Sequence, residues 1–187
     1  MSEALLRALK AGAALSTLRQ LLAHAGDPSQ PAPGQPSSLL YTVRYASERW
    51  DVLLLLLRGT PREGLDRRDE WGRAPLHYAA DAGCPQLIAL LIGAGAEMNI
   101  SDAEGVSPLH LAVSGQREEA VRTLLRFGAK PSTRTLACYE KVTALHMAAS
   151  RGLTAMAHML IAAGAKLNSL DVKEQVINHS IPFALST

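Results

Sequence analysis

Cysteine is scarce in this 187-residue chain, with only Cys84 and Cys138. Two thiols make no disulfide framework, so a reducing compartment is expected, the cytoplasm, the nucleus or both. Aromatic residues are few, at 4% against 48% apolar residues. That composition fits a core of Leu, Ala and Ile better than a sheet sandwich. Neither sign of charge dominates: 19 Lys and Arg oppose 17 Asp and Glu, for a net charge of +2. Bulk charge therefore argues against a nucleic acid or an anionic membrane as partner. Long hydrophobic runs are missing too. The longest, Val52–Leu57, falls far short of the roughly 20 residues that cross a bilayer. Met1–Leu22 carries Glu3, Arg7, Lys10 and Arg19 and does not read as a signal peptide.

What the chain does have is a repeat. Asp69–Ser101 begins with a turn-rich stretch, then Pro75-Leu76-His77, then a long apolar segment closing at Gly95-Ala96. The pattern returns at Pro108-Leu109-His110 and, more loosely, at Ala144-Leu145-His146. The step from His110 to His146 is slightly longer than the step from His77 to His110. Gly95, Gly128 and Gly164 each stand at the same distance after their own His. A recurring period of about 33 residues marks a stacked array of supersecondary units.

Each unit reads as two short helices. Pro75 and Pro108 suit a first helical position, where φ is already set and no N–H is needed. Ser107 and Thr143 are expected to cap the helix start through a side-chain oxygen. Ala74 cannot, at a cost of roughly 1 kcal/mol. The first helix buries Leu76, Ala79 and Ala80, and its equivalents Leu109, Ala112 and Val113, then Leu145, Ala148 and Ala149. Gly83 and Gly152 end it in a left-handed conformation. In the middle unit Gly115 comes one position early and Gln116 stands where Gly belongs, which leaves that turn's geometry open. The second helix presents Leu87, Ile88, Leu91 and Ile92 at helical spacing. Ala120, Val121, Leu124 and Leu125 match them, as do Met156, Ala157, Leu160 and Ile161. One such pair cannot bury its own apolar face, so neighbours must stack into one elongated core with contacts only between neighbours.

Over about residues 69–169 these motifs closely resemble the ankyrin repeat. The resemblance implies an all-α solenoid of stacked helix–turn–helix units joined by short β-hairpin-like turns. It also implies a non-enzymatic protein–protein interaction module, an adaptor or scaffold, expected to be a monomer. The alternative is the substrate-recognition part of a larger assembly, such as a ubiquitin-ligase adaptor or a transcriptional regulator. In such a family partners bind the turn tips and the concave face of the first helices. The register then selects the residue after each His, namely Tyr78, Leu111 and Met147. Four residues after each His come Asp81, Ser114 and Ser150, and next Ala82, Gly115 and Arg151. At the tips lie Glu70, Trp71, Arg73, Ala103, Glu104 and Val106. Trp71 and Tyr78 are the strongest candidates, since aromatics dominate interface energies. Asp81, Glu104, Leu111, Met147 and Arg151 complete the expected surface. A second reading has Trp71 packing on the Pro61–Arg68 extension.

The flanks are less regular. Residues 1–27 read as a degenerate helix pair capping the array, with Ala4, Leu5, Ala8 and Leu9 on one face and Leu15, Leu18, Leu21 and Leu22 on another. Residues 28–38 hold four prolines and form a projecting loop. Residues 39–68 read as a worn repeat. Aligning Gly59-Thr60 with Gly95-Ala96 puts Tyr41 where His77 stands and matches Leu55 and Leu56 to Leu91 and Ile92. Val52–Leu57 is expected to be buried on most sides. Pro61–Arg68 reads as a solvated hairpin tip or, alternatively, a partner contact. Repeats follow at 69–101, 102–135 and 136–170. Lys130–Val142 holds the extra residues before the last, where Tyr139 is either an anchor or packing on the loop stem. Residues 171–187 either cover the last repeat or mark a truncated or alternatively spliced form.

No catalytic or cofactor motif is present, and no cofactor or metal is expected. His77, His110 and His146 are the tempting set, but they recur once per repeat, roughly 10 Å apart if helices pack normally. Zinc binds imidazole nitrogen at about 2 Å, so these rings cannot share one ion. In the resembled family this His is structural and hydrogen bonds across the turn. Cys84 at a helix start has no base placed beside it by sequence, so a catalytic thiol is not expected.

Overall fold

A computed structural model describes residues 2–25, 37–45, 49–136 and 141–166 of the chain. Eleven helices lie in these residues. They are α1 (Ser2–Lys10), α2 (Leu15–Ala25), α3 (Ser38–Tyr45), α4 (Trp50–Gly59), the single turn α5 (Arg62–Leu65), α6 (Pro75–Ala82), α7 (Pro85–Ala94), α8 (Pro108–Ser114), α9 (Glu118–Arg126), α10 (Ala144–Ser150) and α11 (Thr154–Ala162). Strands are absent among the described residues, apart from one isolated antiparallel bridge between Arg134 and Thr143. The result is an all-α solenoid. First helices α1, α3, α6, α8 and α10 pack in succession, and second helices α7, α9 and α11 do the same behind them. Most of the 28–38 loop, Tyr139 and the 171–187 tail lie outside the described residues.

One apolar core runs through the stack, from Leu5 and Leu18 through Leu39 and Leu53 to Leu145 and Leu160. The alanines at 79, 80, 112, 144 and 148 are buried with it and let helices approach closely. Leu87, Ile88 and Leu91 are fully buried while Ile92 is only partly so, as a single-sided helix face requires. Two expectations fail here. Leu54 in the Val52–Leu57 run is 44% exposed, because α4 packs on α2 and α3 through Val52, Leu53 and Leu56 and leaves its outer face open. The Pro61–Arg68 stretch is not a solvated tip. It forms α5 against α7, with Leu65 buried in the core. Arg62 Nε donates to the Gly95 carbonyl (3.3 Å) and Arg68 Nη1 to that of Ser101 (2.8 Å).

The worn repeat needs a second correction. α3 buries Ser38, Leu39, Leu40, Thr42 and Val43, which matches α6 burying Pro75, Leu76, His77, Ala79 and Ala80. Leu40, not Tyr41, therefore holds the place of His77, and Tyr41 is the counterpart of Tyr78. In the second helices Val52, Leu53 and Leu56 match Leu87, Ile88 and Leu91. A single sequence offset missed both helices by one position, in opposite directions. The cause is a longer connection between α3 and α4 than between α6 and α7.

Turn tips stack as regularly as helices. The Ala103 N–H donates to the Trp71 carbonyl and the Leu136 N–H to that of Glu104, both at 3.0 Å. Gly72 and Gly105 sit at these contacts with φ of +74° and +77°. A Cβ on either would meet the next tip's backbone nitrogen at 2.7 or 2.6 Å, so the ladder requires glycine there. Capping at Ser107 runs mainly through the histidine. The Ser107 N–H donates to His110 Nδ1 (3.2 Å), and its Oγ meets the same nitrogen (2.8 Å) without a close bond to a backbone N–H. Thr143 Oγ1, by contrast, does accept from the His146 N–H (3.4 Å). At the Ala74 start, His77 Nδ1 accepts the Ala74 N–H (3.1 Å).

Candidate interaction surface

The last turn of α3 aims Arg44 at the turn before α6. Its guanidinium carbon lies 4.4 Å from the ring centre of Trp71, 4.8 Å from Tyr45 and 5.3 Å from Tyr78. Tyr41 tilts against Tyr45 with centroids 5.0 Å apart, and Lys10 Nζ stands 5.7 Å over the Tyr41 ring. Three of the chain's four tyrosines and one of its two tryptophans thus gather around one arginine. Each such cation–ring contact contributes about 0.5–1 kcal/mol when partly exposed.

Asp69 holds the cluster from below. Its carboxylate is 1% exposed. Oδ1 accepts the N–H groups of Trp71 (3.0 Å) and Arg73 (2.9 Å), which shapes the tip. Oδ2 accepts the Tyr78 hydroxyl. Burial and that hydrogen bond raise the Tyr78 hydroxyl well above its ordinary range, so it stays a neutral donor. Arg44 Nη1 reaches Asp69 at 3.9 Å and Glu70 at 3.8 Å, both loose ion pairs. The next turn repeats the device: Asp102 Oδ1 accepts from Glu104 and Val106, and Oδ2 from Arg73 Nε (3.3 Å).

Of the residues singled out by register, Trp71 and Tyr78 come together here. Trp71 is 46% exposed and stacks on Arg44. Tyr78 is half-buried. The others lie elsewhere along the row. Asp81 is exposed at the end of α6, where its carbonyl accepts Arg117 Nε (3.0 Å). Glu104 is half-buried and bound through its main chain on both sides. Leu111 and Met147 are half-buried on α8 and α10, Met147 against the core. Arg151 is exposed and donates to the Ser114 carbonyl. Arg117 and Arg151 thereby each satisfy a carbonyl at the end of the preceding first helix, where cations are favoured.

Sequence reasoning missed Arg44, Tyr41, Tyr45, Asp69 and Lys10. The signal was present. In the corrected register, the positions that select Tyr78, Asp81 and Ala82 on α6 select Tyr41, Arg44 and Tyr45 on α3. On α1, where Leu5, Leu6 and Leu9 are buried, the same rule selects Arg7 and Lys10.

The repeated histidines are buried and separate. His77 Nε2 donates to the Val106 carbonyl of the next tip (3.0 Å). His110 Nε2 makes no hydrogen bond of good geometry among the described residues. The backbone of Val142 and Thr133 lies close enough to favour its protonated form, but only weakly against burial. Burial lowers the pKa of both rings. Among the described residues no group of His, Cys, Asp and Glu is placed to hold a metal ion, and no helix is long and apolar enough to cross a membrane.

A family model described as ankyrin repeats (3 copies) matches residues 76–171, just over half of the chain. BCL-6 corepressor-like protein 1 of Homo sapiens is 36% identical over 100 residues, 54% of this chain and 5% of that protein. B-cell lymphoma 3 protein of Homo sapiens is 32% identical over 111 residues, 58% of this chain and 24% of that protein. Nuclear factor NF-kappa-B p105 subunit of Gallus gallus is 29% identical over 109 residues, 58% of this chain and 11% of that protein. The chain spans about a quarter or less of the length of these relatives.

Proposed function

Since the chain belongs to the ankyrin-repeat family, whose repeats generally mediate protein–protein interaction, we propose that it is a non-enzymatic adaptor or scaffold. It binds partner proteins through the face of its first helices and the adjoining turn tips, in the cytoplasm, the nucleus or both. The observation that carries this reading is the exposed Trp71 stacked on Arg44 beside Tyr45 and Tyr78. Trp, Tyr and Arg are the residue types that concentrate binding energy at interfaces. Although the chain is poor in aromatics, Tyr45 and Trp71 both stand about half exposed against the same arginine, which packing alone does not require.

A second reading makes the chain one recognition element of a transcription-regulating assembly rather than a ubiquitin-ligase adaptor. It is favoured by relatives whose names are those of a corepressor-like protein and a nuclear factor subunit.

Quantitative affinity enrichment with the full chain tests the first reading. Tyr78 is a poor target, because its hydroxyl satisfies the buried Asp69. Trp71→Ala removes an exposed ring and leaves the tip's backbone bonds intact. Partners should fall at least tenfold with this variant while the melting temperature stays within about 2 °C. An unchanged partner list would exclude the cluster from the binding face.

A further inference from the structure

The cluster also indicates what kind of partner it takes, an inference that rests on the interaction reading above. A groove opens between the end of α1, the exposed side of α3 and the tip before α6. It is lined by Lys10, Leu40, Tyr41, Arg44, Tyr45 and Glu70. Lys10 and Arg44 occupy equivalent positions of successive first helices, so their charges fall in line along the face that this fold presents. Lys10 is exposed and forms no ion pair among the described residues. Arg44 is held only by ring contacts and two loose ion pairs, both through Nη1. Its Nε and Nη2 donate to nothing among the described residues. A guanidinium flanked by flat aromatic walls, with donors to spare, matches a planar carboxylate.

We propose that this groove binds an acidic peptide segment of a partner protein. A Glu or Asp carboxylate of that segment meets Arg44 and Lys10, and a neighbouring apolar side chain covers Tyr45 and Trp71. Tyr45 is 60% exposed and Trp71 46%, so both rings offer area that the fold leaves open. Glu70 is the resident competitor. Its exposed carboxylate sits 3.8 Å from Arg44, where the incoming carboxylate belongs. An acidic segment displaces one loosely held side chain from Arg44 and brings an anion to Lys10, which has none among the described residues, whereas a basic segment meets two cations of its own sign.

Selection of a random-peptide display library on the full chain, tethered at its C-terminus, tests this directly. Winning peptides should be enriched in Asp or Glu next to an apolar residue. The best of them, synthesised and titrated, should bind Lys10→Glu about tenfold more weakly and Glu70→Gln about threefold more tightly. Both substitutions are at exposed side chains, so folding is preserved, and circular dichroism verifies it. Opposite signs for two charge changes in one groove are not produced by a general loss of structure. Winners without acidic enrichment, or winners whose affinity ignores both substitutions, overturn the acidic partner. If those winners still lose affinity with Trp71→Ala, the interaction reading stands without it. Failure to enrich any peptide over Trp71→Ala bait overturns both. A more than tenfold preference for phosphoserine in place of Glu overturns the carboxylate and assigns the cations to phosphate.

Discussion

The two junctions of the central array differ in two side-chain bonds, one because Val106 stands where Arg73 does and one at the histidine. Between the tip at 69–73 and the tip at 102–106, everything pairs: Ala103 N–H with the Trp71 carbonyl, Arg73 with Asp102, and His77 Nε2 with the Val106 carbonyl. Between the second tip and the segment 135–142 the ladder bond survives, Leu136 N–H with the Glu104 carbonyl. His110 Nε2, however, is near the Val142 backbone without a bond of good geometry. The stretch from His110 to Val142 is longer than that from His77 to Val106, by the residues inserted within Lys130–Val142. The insertion keeps the tip in register and loses the histidine's geometry. The lesson is that an insertion in such an array is absorbed at side-chain links before the backbone ladder yields.

Removing each histidine should expose this difference most strongly. His77→Ala strands the Ala74 N–H and the Val106 carbonyl and opens a cavity, at about 4 kcal/mol. His110→Ala opens a like cavity and strands the Ser107 N–H and hydroxyl, but removes an Nε2 that held no good bond, at about 3 kcal/mol. Urea unfolding of both variants checks the gap. Equal losses would mean the missing Nε2 bond carries no weight.

The feature common to both junctions should give a matched pair instead. Gly72→Ala and Gly105→Ala each force a left-handed alanine against a backbone nitrogen, at about 3 kcal/mol apiece. A loss at one site only would show that the ladder is not equally tight along the stack.

A smaller effect comes with acid. Burial depresses the pKa of His77 and His110 below the ordinary 6.5. The unfolded chain then binds protons more readily than the folded one. The stability these neutral rings provide is complete above pH 6.5 and is lost as pH falls toward their folded-state values. Protonation also removes the Nδ1 acceptor that each ring offers to its helix start. Melting temperatures between about pH 7.5 and 5 should fall, and less steeply for His77→Ala. A flat profile would place both rings in contact with solvent.

How much of this was written in the sequence depends on where it lies. Period, helix pairing and the apolar faces at 69–169 were legible because Pro-Leu-His and Gly-Ala recur at fixed distances, so each repeat corrects the reading of the next. The face around Arg44 was only half legible. Trp71 and Tyr78 follow from the register, but Arg44 belongs to the preceding, worn repeat. Its placement depends on α3, where no His or Pro fixes the phase and a longer connection to α4 shifts it by one. That single step hid three positions of the surface. Asp69 was invisible for another reason: its buried carboxylate shapes a tip by bonding backbone N–H groups, a role that composition does not advertise. The Pro61–Arg68 stretch misled because its charges concealed Leu65, the side chain that it buries in the core, and because Arg62 and Arg68 bind backbone carbonyls rather than water.

The turn within the middle repeat gives the finest test. Gly83 and Gly152 end their helices at φ of +74° and +67°, and the sequence left open whether the shifted glycine changes this turn. It does not. Gly115 stays right-handed at −79°, and Gln116 takes the left-handed place at +56°. The conformation is imposed by the stack, because the Arg117 N–H must still reach the Ala112 carbonyl (2.8 Å) and its side chain the Asp81 carbonyl. A left-handed glutamine costs roughly 1–2 kcal/mol, and glycine gives back part of that gain through its freer unfolded chain. Gln116 is not buried, so little packing is lost. Gln116→Gly should therefore stabilise the chain by about 0.5–1 kcal/mol, or about 2 °C in Tm. Gly115→Ala supplies the contrast. Its new Cβ would sit 3.3 Å from the Leu111 carbonyl oxygen in a right-handed residue, so it should bring no comparable gain. Calorimetry on the two variants separates backbone handedness from helix propensity. A gain from Gly115→Ala and none from Gln116→Gly would assign the cost of this turn to the glycine rather than to the glutamine beside it.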